Sequence, residues 1–159
     1  MRISLSADSP SLLYVSTHSS LSRKPSVVLH GGAIPSFAAL ATADFHSFSS
    51  TVDILLGQEA HSLIKSGTFS SSQFFHVLVP STGLNERFEW KPSSGAEVAL
   101  LQGRRRGMKL VRVATGEVVA AWARPNSGRK KKGKLRFLVC FFGGVPITIT
   151  KYAYMRKCS

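Results

Sequence analysis

The groups in this chain that could do chemistry are five histidines, many serines, eight carboxylates and a dense run of cations near residue 130. His18, His30, His46, His61 and His76 are scattered. None stands in an HxH or HExxH spacing, the patterns that bring two imidazoles to one metal ion. His76 falls inside a strand pattern, where a histidine is more often packed or at an edge than a ligand. Asp44 and Asp53 could face each other across a strand turn, but paired acids do acid–base work only inside a pocket. No serine occupies a GxSxG elbow. The sequence nominates no catalytic residue and no metal ligand, and the expectation is a chain that is not an enzyme.

One stretch comes closer to a cofactor motif. Residues 128–134, GRKKKGK, match the G-x4-GK part of a phosphate-binding loop. The next residue is Leu135, where a Ser or Thr has to hold magnesium. A strand pattern follows it, whereas a phosphate cradle needs the N–H groups at the start of a helix. No nucleotide, and no other cofactor, is therefore expected.

Charge is the strongest signal. The net charge is +13, and it is lopsided. Residues 1–103 hold six Lys/Arg against seven Asp/Glu; residues 104–159 hold fifteen against one, Glu117. Such asymmetry points to a polyanionic partner, nucleic acid or an anionic membrane surface. The alternative is a solubilising basic face. The cations concentrate in Arg104, Arg105, Arg106 and in Arg129, Lys130, Lys131, Lys132, Lys134, read as two loops flanking a hairpin. Together they are the candidate anionic-ligand site. The second run also has the composition of a nuclear-import address.

Two cysteines, Cys140 and Cys158, are too few for a disulfide framework or a paired-ligand zinc site. They read as free thiols. The start, MRISLSADSPSLLYV, lacks a continuous apolar stretch of the secretory kind. The longest apolar run, residues 137–149, is broken by Gly143, Gly144 and Pro146 and is too short to span a bilayer as a helix. No transmembrane segment is expected, and the expected location is cytoplasmic, peripheral to a membrane or nuclear.

The elements that must position these cations read mainly as strands. Residues 1–25 look like a flexible Ser-rich leader with one strand at 12–16. Residues 26–29, then 37–46 and 47–56 around Ser49-Ser50, carry strand patterns, with a short helix as the alternative at 37–46, where Ala and Leu favour one. Residues 58–66, QEAHSLIKS, are expected as a helix, because Ala60, Leu63 and Ile64 share a helical face. Residues 73–79 and 87–91 make a hairpin. Residues 107–114 and 117–123 make another, turning at Thr115-Gly116. Strand patterns return at 135–140 and 147–154. Trp90 and Trp122 are expected in the core or at its rim.

Four phrases taken together carry a resemblance: FHSFSSTVDILLG (45–57), RFEWKPSSGAEV (87–98), MKLVR with GEVVAAWA (108–123), and KGKLRFL (132–138). The chain resembles a family of uncharacterised fungal proteins related to the tubby C-terminal-like superfamily of tubby, phospholipid scramblase and LURP-one proteins. The resemblance covers roughly residues 26–138. It implies a β-barrel wrapped on an apolar central helix, and binding of phosphoinositides through basic side chains at one end. It transfers no site residue. After Leu138 the chain departs from that pattern, with VCFFGGVPITITKYAYMRKCS in place of an apolar helix. A barrel lacking that helix is expected to have an under-filled interior.

The expected fold is therefore mainly β: an antiparallel barrel-like or strongly curved sheet with one or two short helices and no central helix. Its domain spans 26–140, between the leader and an atypical tail at 141–159. The expected function is non-enzymatic recognition of anionic phospholipid, a phosphoinositide among them, through basic loops. The alternatives are a nucleic-acid-binding domain, disfavoured because no aromatics are interleaved with the cations, or a structural β domain.

Overall fold

A computed structural model describes residues 2–4, 11–19, 22–46, 49–67, 70–79, 82–126, 131–138, 140–142, 145–147 and 151–156. In chain order the strands are β1 (Arg2–Ser4), β2 (Leu13–Thr17), β3 (Val27–His30), β4 (Ala39–Phe45), β5 (Thr51–Leu56), β6 (Glu59–Lys65), β7 (Gln73–Val79) and β8 (Leu84–Ser93). A short helix α1 (Ala96–Ala99) follows, then β9 (Gly103–Arg112), β10 (Glu117–Pro125), β11 (Lys131–Phe137), β12 (Cys140–Phe142), β13 (Val145–Ile147) and β14 (Lys151–Arg156). The chain is mainly β, as its alternating patterns require.

Strands β2 to β11 form one antiparallel meander in which each strand pairs with its neighbours in sequence. This ten-stranded sheet does not close on itself, since β2 and β11 do not pair. The terminal strands stand between those edges. β14 pairs with β11, and β1 pairs with both β14 and β2, so the strand order returns to its start as a barrel. β12 and β13 form a separate two-stranded hairpin.

Cross-strand partners share a face, so the register sorts inside from outside. One face carries Val15, Leu29, Val52, Leu63, Phe75, Phe88, Leu110, Trp122 and Leu135, linked by pairs such as Val15↔Leu29, Val52↔Leu63, Phe75↔Phe88 and Trp122↔Leu135. The other carries Asp44, Asp53, Ser62, Arg87, Glu89, Lys91 and Lys109, with Asp44↔Asp53↔Ser62 and Lys91↔Lys109 as partners. The apolar face is the lumen. Its tightest part is a cluster of Val79, Phe88 and Val119, with Phe75, Val77 and Leu110 against it. The Phe75 and Phe88 rings stack with centroids 5.9 Å apart.

A second cluster lies on the outer face. Val98 and Leu101, just inside and just after α1, are fully buried against Ala121 and Ala123 of β10. The small residues let the helical turn approach the sheet. At Gly107 a Cβ would stand 2.2 Å from the Trp122 carbonyl oxygen and 2.9 Å from Val98, so only glycine fits under α1.

The wall weakens between β6 and β7. Their ladder runs only through Ile64↔Phe74 and Lys65↔Gln73, although β6 pairs with β5 over Thr51–Leu56 and β7 with β8 along its whole length. Ser66 Oγ, in the β6–β7 turn, donates to Glu89 Oε1 at 2.7 Å and ties that turn to β8.

Two expectations are corrected, the helix at 58–66 and the loop placement of the basic runs. Residues 58–66 are no helix: they form β6, turned back from β5 at Gly57-Gln58 and held by the register Leu56↔Glu59 through Thr51↔Ile64. Arg104, Arg105 and Arg106 lie in strand β9, not in a loop before it. Lys131, Lys132 and Lys134 likewise belong to strand β11 and not to a loop. Residues 13–17 and 151–156, where strand patterns were expected at 12–16 and 147–154, are paired into the sheet as β2 and β14. Among the described residues α1 is the one helix, and no helix is long and apolar enough to cross a membrane.

Candidate functional site

Registers across five strands gather the cations at one end of the barrel. Gly103 of β9 pairs with Pro125 of β10, and Gly107 with Ala123. Ala123 pairs in turn with Lys134 of β11. Lys131 pairs with Arg156 of β14, and Arg156 with Arg2 of β1. The start of β9, the end of β10, the start of β11, the end of β14 and the start of β1 therefore share one rim. Arg104, Arg105, Arg106 and Arg124 are exposed there. Bulges between Ala123 and Pro125, and between Lys131 and Gly133, break the ladders at this rim, where bulges commonly re-aim side chains.

The acids towards that end are already engaged. Glu97 accepts a 2.5 Å hydrogen bond from Ser93 Oγ and lies 3.9 Å from Lys109 Nζ. The Ser93 bond, above all, holds its carboxyl below the ordinary glutamate value. Asp44 accepts from the Ser26 amide at 2.9 Å, and Asp53 Oδ2 lies 2.7 Å from His46 Nε2. Among the described residues no ion pair involves Arg104, Arg105, Arg106 or Arg124. The opposite end differs: its β5–β6 and β9–β10 turns are flanked by Glu59 and Glu117.

Inside the lumen one ion pair stands near that opposite end. Two of the guanidinium nitrogens of Arg112, Nε and one terminal NH2, donate to the Glu86 carboxylate, and Thr82 Oγ1 donates to it at 3.0 Å. The Arg112 bonds hold the Glu86 carboxyl below its ordinary value, and Glu86 raises Arg112 in return. The pair is satisfied from within, so it has a structural role.

The other candidate groups do not converge on chemistry. Ser62 Oγ lies 3.5 Å from Asp53 Oδ1, and His46 is on the other oxygen of that carboxylate. Serine and histidine thus share an acid without touching each other. A nucleophile and its base must be hydrogen-bonded directly, and these are not. His30 is buried, 2.8 Å from Ser16 Oγ and 2.9 Å from the Phe37 carbonyl, which uses both ring nitrogens. Among the described residues no three His, Cys, Asp or Glu side chains cluster as a metal would need.

Of the residues singled out by sequence, Arg104, Arg105, Arg106 and Lys134 are placed together at the rim, with Lys131 and Lys132 placed there by register. Arg129 and Lys130 lie outside the described residues, as does most of the phosphate-loop-like stretch. The sequence missed Arg2, Arg124 and Arg156 as neighbours of that group. Arg2 and Arg156 are at opposite ends of the chain, and only barrel closure makes them adjacent. No protein-family profile, curated protein or solved structure matches the chain.

Proposed function

We propose that the chain is a non-enzymatic barrel that docks on an anionic phospholipid surface through its cationic rim. One observation carries this: the register brings Arg104, Arg105, Arg106, Arg124, Lys131, Lys132 and Lys134 from three adjacent strands to a single end. Cations near an anionic leaflet contribute about 1 kcal/mol each, so a group of this size supports salt-sensitive attachment. The resemblance to tubby-like proteins makes phosphoinositide headgroups the first anionic lipids to try. Nucleic acid fits less well. Stacking platforms present aromatics on an exposed sheet, and here Trp90 and Trp122 are on the lumen face.

The test is co-sedimentation of the full chain with phosphatidylcholine vesicles, with and without phosphatidylserine or phosphoinositide, at low and high salt. Binding is expected only to the anionic vesicles, with loss at high salt. Arg104→Glu/Arg105→Glu/Arg106→Glu is expected to weaken it by roughly a hundredfold or more, as three cations at about 1 kcal/mol each require. Absence of binding to every anionic vesicle at low salt overturns the proposal.

A further inference from the structure

The lumen just below the cationic rim holds a cavity of about 330 Å³. Its walls are Leu63, Gln73, Trp90, Met108, Trp122 and Leu135, one residue from each strand from β6 to β11. Gln73 is the single polar side chain among them. The volume equals roughly eleven water molecules at ~30 Å³ each, but water in a cavity needs several polar partners, and this lining offers few. It is also within the range of about 300–1,000 Å³ of small-molecule sites.

Position along the barrel gives the cavity a direction. Two residues further from the rim on β8, Trp90 is followed by Phe88, whose stack with Phe75 and packing on Leu110 and Val119 back the inner end of the cavity. Towards the rim, strand alternation continues the inward row of β9 from Leu110 and Met108 to Arg106, and that of β6 from Leu63 to Lys65. Both cations are exposed. Gly133 belongs to the same design: a Cβ there would stand 2.3 Å from Trp122 Nε1, so glycine lets the indole lie across β11 as part of the wall. An apolar recess on the lumen face, backed by these rings and with cations at its mouth, complements a molecule with one hydrocarbon chain and an anionic head.

We infer that the lumen takes the chain of a single-chain anionic amphiphile, a fatty-acid or lysophospholipid type of ligand, with its head at Lys65 and Arg106. This rests on the proposed lipid-surface function and deepens it: the rim meets the headgroups, and one chain enters the barrel.

The two tryptophans of the chain are both cavity walls, so they report directly. Full-length protein is titrated with monomeric dodecanoate brominated along its chain, and tryptophan fluorescence is followed. Saturable quenching is expected in the native protein and in Trp90→Phe and Trp122→Phe, each of which keeps one reporter. Dodecanol is expected to bind roughly tenfold more weakly, as loss of the head contacts implies. Leu63→Trp, checked for folding by circular dichroism, is expected to abolish the calorimetric binding signal by filling the cavity. Absence of saturable quenching in the native protein overturns the inference, and equal affinity for dodecanol overturns its headgroup half. Vesicle binding without dodecanoate binding sinks the lumen site and leaves the surface proposal standing. Dodecanoate binding without vesicle binding does the reverse.

Discussion

Two walls of the barrel come from the same meander but are filled differently. Strands β7 to β10, with α1 outside them, contain Val79, Phe88, Val111, Val119, Ala120, Ala121 and Ala123, all buried, and the engaged carboxylates Glu86 and Glu89. Strands β4 to β6 contribute one buried hydrophobic residue, Val52, and leave Leu40, Phe45, Leu55 and Leu56 exposed. Pairing is complete within both walls, so hydrogen bonding does not separate them. Packing does: the first wall has the lumen cluster on its inner face and α1 against β9 and β10 on its outer face, although Leu78 and Leu84 at its far end are exposed. A closed ladder guarantees satisfied backbone, and side-chain burial must come from something laid against it.

The sharpest break of this contrast is Phe88→Ala, which removes the centre of the lumen cluster and the stack with Phe75. It is expected to cost about 3–5 kcal/mol in urea unfolding, the range for buried Phe truncation. Gly107→Ala tests the outer layer. Its Cβ would meet backbone, which cannot move aside, and the expected cost is about 1–3 kcal/mol by overpacking.

Acid should loosen the filled wall first. Glu86, Glu89 and Glu97 all have lowered carboxyl values, held chiefly by Arg112, Ser66 and Ser93. A lowered native value means that the unfolded chain binds more protons as pH falls. The stability these groups contribute is therefore full above the ordinary glutamate value of about 4.3 and is lost on descending below it. Thermal melts from pH 6 to pH 3, a range of roughly three units around that value, are expected to show this decline. In Glu86→Gln the decline should be shallower from a lower starting stability. An unchanged slope would remove Glu86 from the account. The smallest effect is expected on the loose wall: Leu55→Ala should shift stability by no more than about 0.5 kcal/mol.

The same contrast governs what the sequence disclosed. The hairpins at 73–91 and 107–123 were legible because Phe75, Val77 and Val79 answer Phe88 and Trp90 in strict alternation, with one face buried. Residues 58–66 were misread because Ala60, Leu63 and Ile64 fit a helix turn as well as a strand. In the loose wall both faces are half exposed, so no alternation decides the matter, and pairing with β5 overrides the helix-favouring composition. The cations were visible by type and as two groups flanking one hairpin, but the register that aligns them was not. It depends on which residue of β9 faces which of β10 and β11, and the bulges that set this leave no mark in composition. The lumen cavity was not legible, because Leu63 of its lining comes from the segment misread as helix.

The closing strands bear on how the barrel comes into being. From β2 to β11 every pairing joins strands adjacent in the chain, and such local contacts form early and at low entropic cost. Residues 2–4 wait for residues 154–156. During synthesis, a ten-stranded sheet can stand assembled with β2 and β11 as bare edges, each a template for another chain. Those edges stay uncovered until β14 docks on β11 and β1 on β2, so deleting residues 151–156 should raise aggregation.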